Sequence, residues 1–310
     1  MPVVLSSSDA PSVPVFPQFK PLELEDRDII QTLLTTYQPQ TSEWTFTNLF
    51  MWRHHYGLSW STYEDTLMVV SQQVGATPFG FPPIGPGSRQ NAARLLLQWL
   101  EEGHRVAGTI ERADPRLVSE LEGSPDFAIE ATRDQFDYVY RCEDLIQLGG
   151  RKYHAKRNHL NKLVRSYHFD YRPLTRKHTD ACLQLADNWC QWRRCEDDLN
   201  LIGEWDAIRE ALQHFEVLEL QGGVVLLNQK VEAFSLGELL NQDTAVIHIE
   251  KANPEIPGMY SLINQQFCEQ CWSQVEYINR EQDLGEPGLR KAKLSYHPDH
   301  LVEKHRIRLS

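Results

Sequence analysis

Apolar positions in this chain switch repeatedly between helical spacing and alternation, and each switch marks a new element. Ile29, Ile30, Leu33, Leu34 and Tyr37 follow helical spacing and predict a helix over 22–37. Glu25, Asp26 and Asp28 lie early in it, where carboxylates complement the N-terminal dipole. The stretch 42–53 reads as a short helix capped by Ser42, with Trp44, Leu49 and Trp52 as core. Residues 58–63 and 66–72 form a strand pair joined near Glu64-Asp65. The run 78–87, Pro-Phe-Gly-Phe-Pro-Pro-Ile-Gly-Pro-Gly, resists regular structure, because Pro lacks a donor and Gly lacks restraint. Its glycines do not have the spacing of a phosphate-binding loop. A helix over 88–102 turns Ala92, Leu95, Leu96, Trp99 and Leu100 inward. A strand over 105–110, a helix from Asp114-Pro115 through Leu121, and strands over 127–131 and 138–141 complete the first half.

Gly149-Gly150 marks a boundary. The helix predicted over 151–167 has Leu160, Leu163, Val164 and Tyr167 on one face and Arg151, Lys152, Lys156, Arg157, Lys162 and Arg165 around the rest. A strand over 169–173, helices over 179–193 and 204–215, and strands over 218–227, 230–239 and 245–251 follow. The pair around Asn228-Gln229 reads as a hairpin. A helix over 259–272 comes after Pro254 and Pro257-Gly258, then a strand over 275–281, a basic helix ending before Pro298, and a closing strand over 301–309.

The chain has 310 residues, enough for two domains, and 41% hydrophobic content, enough for real cores. No apolar run approaches the roughly 18 residues that span a bilayer. The start, Met-Pro-Val-Val-Leu-Ser-Ser-Ser, lacks the basic n-region of a signal peptide, so a cytoplasmic location is expected. Six Cys fit reduced thiols, and Cys268-x-x-Cys271 inside a helical pattern reads as buried core rather than as a metal or redox motif. No metal site is predicted. The net charge is −12 but unevenly spread. Residues 151–177 carry nine Lys/Arg against one Asp, between two acidic halves. The acidic balance argues against a bulk DNA-binding protein, while the basic helix 151–167 is a candidate surface for tRNA.

The densest chemistry lies in 277–298, Tyr-Ile-Asn-Arg-Glu-Gln-Asp-Leu-Gly-Glu-Pro-Gly-Leu-Arg-Lys-Ala-Lys-Leu-Ser-Tyr-His-Pro. Arg280, Glu281, Asp283, Arg290 and Lys293 crowd the end of a strand, with Asn279 and Tyr296 beside them. In open α/β sheets such positions form ligand sites. A solvated connection laced with salt bridges is the bland alternative.

The order helix, helix, hairpin, long strand, helix, strand, helix, strand resembles the N-acetyltransferase-like (GNAT) fold. The sequence is also similar to a soluble family (DUF2156-type) that resembles the C-terminal catalytic region of phosphatidylglycerol lysyltransferases. The residues carrying the resemblance are Ser42 to Arg53, Gly150 to His159 and Tyr277 to Pro298. It implies an α/β (α+β) protein of two tandem GNAT-like (acyl-CoA N-acyltransferase-like) lobes, mixed sheets flanked by helices. The expected organisation is an irregular arm over 1–20, an N-terminal lobe over 21–149, a connecting helix over 150–168, and a C-terminal lobe over 169–310 that carries the site.

The resemblance implies acyl transfer, with aminoacyl-tRNA as the first candidate donor and an amine or hydroxyl as acceptor: a small molecule, a peptide or a lipid head group. Acetyl-CoA is the second candidate donor. A non-catalytic nucleotide- or RNA-binding module is the third reading. Acetyl-CoA enzymes open the helix after the fourth strand with a Gly-rich turn. Here Lys251 to Met259 places Pro254, Glu255 and Pro257 in that turn and keeps only Gly258. Within this frame Glu281 is the candidate general base or amine anchor, with Asn279 on its face and Tyr296 as donor to the leaving group. Arg290, Lys293, Lys251 and Gly258 are the candidate donor-binding residues, and Arg157 and His159 are candidates for the nucleic-acid part.

Overall fold

The computed structural model describes residues 13–104, 107–193 and 199–310. In chain order the first half contains β1 (Lys20–Pro21), α1 (Arg27–Tyr37), α2 (Phe46–Tyr56), β2 (Leu58–Tyr63), β3 (Thr66–Ser71), β4 (Phe79–Gly80), α3 (Arg89–His104), β5 (Ile110–Ala113), α4 (Pro115–Leu121), β6 (Phe127–Ala131), β7 (Asp137–Arg141) and α5 (Cys142–Gln147). The second contains α6 (His154–Ser166), β8 (Phe169–Pro173), α7 (Thr179–Arg193), α8 (Leu199–Gln213), β9 (Gln221–Leu227), β10 (Lys230–Leu239), β11 (Thr244–Ala252), α9 (Met259–Cys271), β12 (Tyr277–Asn279), α10 (Pro287–Leu294), β13 (His300–Val302) and β14 (His305–Leu309).

These strands form two seven-stranded sheets, ordered β1-β2-β3-β4-β5-β14-β6 and β8-β9-β10-β11-β12-β7-β13. The two orders are the same when each half is counted from its own first strand, except that the sixth position is filled from the other half. β7 leaves the first half to pair antiparallel with β12, and β14 leaves the second to pair with β5. The expected closing strand over 301–309 is therefore two strands in different sheets, with Glu303 and Lys304 between them. The boundary at Gly149-Gly150 follows a strand already built into the second sheet, so the two lobes interlock. The described part of the N-terminal arm is not irregular throughout: Val15 bridges Thr62, and Lys20–Pro21 pairs with β2.

The cores explain the layering. α3 and α4 cover one face of the first sheet, packing Leu96, Leu97 and Leu117 against Ile110 and Ile307. α9 covers the outer face of the second with Leu262, Ile263 and Phe267 against Ala245 and Ile247. The third core lies between the sheets and draws on both lobes, joining Trp44, Phe46 and Trp60 to Leu185, Ile208 and Phe234. The strand expected at 105–110 begins only at Ile110; Arg105 and Val106 lie outside the described residues. Cys142, Cys182 and Cys268 are buried free thiols and Cys271 is a half-buried one; Cys190 is disulfide-bonded, which departs from uniformly reduced thiols. Cys195 lies outside the described residues.

Candidate active site

The two parallel strand pairs are where each sheet opens. β11 pairs with β12 only from Thr244 to Val246, against Tyr277 to Asn279, and then runs on to Ala252 paired with β10 but not with β12. The gap beyond this point is walled by β11 on one side and by Arg280 and Glu281 on the other. β10 opposes Leu236 to Ile249 and Gly237 to Ile247, so His248 is an extra residue in β11. Such a bulge re-aims side chains. Ala245 and Ile247 face the α9 core, whereas Ile249 faces the core between the sheets.

On the α9 side of the gap sits a basic cluster. Arg280 donates from Nη2 to Glu250 Oε1 at 2.9 Å, and Asn264 Nδ2 donates to Glu250 Oε2 at 2.9 Å. Among the described residues, Arg280 Nη1 and Asn264 Oδ1 are buried without a hydrogen-bond partner. The guanidinium lies 4.7 Å from the Tyr296 ring centroid and 5.7 Å from that of Tyr140. Lys156 Nζ sits 3.5 Å above Tyr296, and Lys293 Nζ donates to the Arg280 carbonyl. Burial, and then repulsion from Arg280, lowers both lysines to about 8. Arg280 itself stays charged: burial opposes its charge, but its favourable interactions, Glu250's the strongest, together outweigh this.

On the opposite side, facing the first lobe, His248 bridges two carboxylates. Nδ1 lies 2.8 Å from Glu281 Oε1, and Nε2 lies 2.9 Å from Glu238 Oε1. Burial disfavours the imidazolium, yet hydrogen bonds and attraction from Glu238 and Glu281 raise it to about 9. Asn48 Nδ2 reaches Glu281 Oε1 at 3.4 Å, and Thr45 Oγ1 lies 3.4 Å from His248 Nε2. Thr45, rather than Ser42, caps α2, accepting from the Asn48 N–H.

The residues singled out from sequence fall into three groups. Glu281, Lys293 and Tyr296 line the two sides of the gap. Asn279 supports it: Oδ1 accepts from the Glu281 N–H at 2.8 Å, and Nδ2 donates to Asp137 at 3.1 Å. Glu281 lies beyond the end of β12 with φ 57°, so it does not close the strand as the sequence suggests. Tyr296 is buried, and its hydroxyl donates to Ser261 Oγ at 3.2 Å.

The others are turned to different tasks. Arg290 makes a bidentate pair with Asp283 at 2.7 and 2.8 Å and a further bond to Asp134 at 2.6 Å. Lys251 lies on the opposite face from Glu250, bonded to Glu204 at 2.8 Å and 3.3 Å above Trp189, so it does not face the basic cluster. Arg157 donates to the carbonyls of Leu148 and Gly150 and ties down the end of α5. Gly258 opens α9 at φ 95°, and a Cβ there would lie 2.9 Å from the His159 carbonyl oxygen. The His159 side chain is exposed on α6. Sequence reasoning missed His248, Glu238, Glu250 and Lys156. Among the described residues no three His, Cys, Asp or Glu side chains are placed to hold a metal ion.

The sequence pattern described as phosphatidylglycerol lysyltransferase, C-terminal, matches residues 34–308. The chain belongs to this family. A conserved protein of unknown function from Bacteroides thetaiotaomicron is 33% identical, with a TM-score of 0.87, over 94% of this chain and 99% of that one. The C-terminal domain (DUF2156) of a lysylphosphatidylglycerol synthetase candidate from Agrobacterium fabrum shares the fold at a TM-score of 0.64, 14% identity and 92% coverage of both chains. L-PGS from Bacillus licheniformis does so at 0.64 and 11%, covering 91% of each. The family's two-lobed acyltransferase fold is thus the frame in which the gap stands. Among the described residues no helix is long and apolar enough to cross a membrane.

Proposed function

We propose that the gap between β11 and β12 is an acyl-transfer site that takes its acyl group from aminoacyl-tRNA and passes it to an amine or hydroxyl. The observation that supports this is the basic cluster where the strands part: Arg280 pairs with the carboxylate of Glu250, Lys293 bonds the Arg280 carbonyl, and Lys156 sits on the Tyr296 ring that Arg280 also faces. Preorganised cations in a dry site stabilise the oxyanion that forms when a carbonyl is attacked. Glu281 contributes the base. Its Oε1 is engaged by His248 and Asn48, while Oε2 takes no hydrogen bond from the described residues.

The acceptor gives its proton to Glu281 Oε2 as its nitrogen or oxygen attacks the ester carbonyl. The new bond to carbon forms, the ester bond to the ribose oxygen breaks, and that oxygen takes a proton from the Lys156 ammonium. A lysine near 8 is well matched to donate a proton near neutral pH. Tyr296 carries Lys156 on its ring and orders it.

The start of α9 favours this donor over acetyl-CoA. Pro254 and Pro257 remove two backbone donors, Glu255 adds negative charge, and the α6 backbone closes against Gly258. A pyrophosphate needs free N–H groups there. The exposed basic face of α6, with Lys162 and Arg165, and Arg151 in the turn just before it, offers a surface for the tRNA backbone.

Thermal-shift and turnover measurements with lysyl-tRNA, uncharged tRNA and acetyl-CoA test the donor. A ligand at 100 times its dissociation constant adds about 2.7 kcal/mol of stability. The reading expects stabilisation by charged tRNA and loss of its aminoacyl ester to an added amine or hydroxyl. Stabilisation and turnover with acetyl-CoA alone would overturn it in favour of N-acetylation. Equal binding of charged and uncharged tRNA without turnover would point to a binding module.

A further inference from the structure

We propose that His248 is the positioning residue of this site: clamped between Glu238 and Glu281, it fixes the Glu281 carboxylate so that Oε2 faces the acceptor. The proposal rests on the acyl-transfer reading above and adds a residue and a charge state to it.

The geometry demands a doubly protonated ring. Both ring nitrogens lie within 2.9 Å of a carboxylate oxygen, and an ionised carboxylate only accepts. A neutral imidazole has one N–H and would set its bare nitrogen against the second carboxylate. The bulge in β11 gives His248 this position, and its side chain is 1% exposed, so water cannot replace either bond. The two carboxylates come from different segments, Glu238 from β10 and Glu281 from the turn after β12, so the ring ties the two sides of the gap together.

Glu281 is held at three further points. Its N–H donates to Asn279, its carbonyl accepts from the Tyr138 N–H at 3.1 Å, and Asn48 of the first lobe reaches Oε1. Its side chain is 20% exposed, against 13% for Glu238, and this exposure leaves Oε2 open to a substrate. The groups facing the ring are Glu238, Glu281 and the Thr45 hydroxyl, with Asn48 at the far side of Glu281 and Lys293 of α10 near Glu281. A salt bridge that merely holds strands together does not explain one oxygen pinned and the other open.

The test compares Glu238→Gln and His248→Gln with the unaltered chain. Steady-state transfer from lysyl-tRNA is measured against pH, and the His248 ring is followed by NMR. Glu238→Gln keeps an acceptor for Nε2 but removes one charge. The proposal expects the ring titration, near 9 in the unaltered chain, to move down in Glu238→Gln, and the alkaline limb of kcat, which Lys156 sets near 8 in the unaltered chain, to move down with it once the ring titrates below 8. His248→Gln is expected to lower kcat about tenfold, with KM for the charged tRNA within about twofold, because a misaimed base slows the chemical step rather than binding. Lys156 and Lys293 titrate in every variant, so the shift between variants is the diagnostic. If the ring titrates below 8 in Glu238→Gln while kcat and its alkaline limb stay where they are, or if His248→Gln keeps the full kcat, the positioning role is wrong while acyl transfer stands. If the unaltered chain transfers from neither lysyl-tRNA nor acetyl-CoA, the acyl-transfer reading fails and the proposal fails with it.

Discussion

The two lobes use one strand order and open at the same place, yet their gaps are filled in opposite ways. In the first, β4 has two residues and meets β5 only at Gly80 and Ile110. The opening is packed by Tyr56, Phe79 and Phe81, whose ring centroids lie 5.0, 6.0 and 5.5 Å from the Arg112 guanidinium. Arg112 also donates to the Tyr56 hydroxyl at 3.0 Å and lies 3.8 Å from Glu43. In the second, β11 has nine residues, and the opening holds Glu250, Arg280, Lys156 and Lys293 with Glu281 and His248 behind them. Each fifth strand has a left-handed residue at or near its end, Arg112 within β5 at φ 63° and Glu281 just beyond β12 at φ 57°. A splayed strand pair therefore creates room for a site, and the side chains lining it decide whether the room is used. Rings that fill the first gap leave a satisfied arginine; charges that line the second leave a buried donor and an open carboxylate oxygen.

This contrast holds only if the lobes are one folding unit, and the exchanged strands supply the sharpest way to break it. Lys304 lies between β13 and β14, fully buried, and bonds Glu43 at 2.6 Å and Asp137 at 2.7 Å. Burial drives the Glu43 carboxyl upward, and Lys304 counters it. Lys304→Met leaves two carboxylates in the interior without their ammonium, a loss of about 3–5 kcal/mol. Chemical denaturation should show one transition, displaced as a whole, for probes in either lobe. Two separate transitions would mean that the lobes are independent.

A smaller effect separates the lobes by pH. His248 has a folded-state value of about 9, against 6.5 in the unfolded chain. Its stabilising contribution is complete below 6.5 and is lost as pH rises from 6.5 through 9. A shift of this size corresponds to an upper bound of about 3 kcal/mol. Stability measured from pH 6 to 10 should fall over that window in the unaltered chain, and His248→Gln should flatten the fall. Amide exchange should locate the loosening at β11 and the Glu281 turn, and not at β4 or β5.

Much of the fold is legible along the chain because it depends on local patterning. The strands at 58–63, 127–131, 169–173 and 230–239 and the helices at 115–121 and 179–193 stand where alternation, helical spacing and turn residues put them. The helix at 142–147 has only six residues, too few for a period to declare itself. The strand exchange is invisible for a different reason. Residues 300–309 carry one continuous extended pattern, and which sheet each end joins depends on partners more than 150 residues away. The candidate site was legible in part. Glu281, Lys293, Asn279 and Tyr296 share one charged stretch, so composition alone draws attention to them. His248 is a single histidine in an apolar strand, and only the bulge reveals that it points away from the α9 core. Without that bulge, alternation puts Glu250 and His248 on one face, where they are not. Lys251 looks like a donor-binding residue facing the gap from the strand end, but the geometry gives it to Glu204 and Trp189.

The central claim is that the second gap, and not the first, carries the chemistry. Single-turnover transfer from lysyl-tRNA should be measured for Glu281→Gln and for Arg112→Lys, each checked for its melting temperature. Removing a general base typically costs about a hundredfold or more. The account predicts a loss of that order for Glu281→Gln with the fold retained, and a rate within about twofold of the unaltered chain for Arg112→Lys. A full rate in Glu281→Gln, or a comparable loss in a folded Arg112→Lys protein, would contradict it.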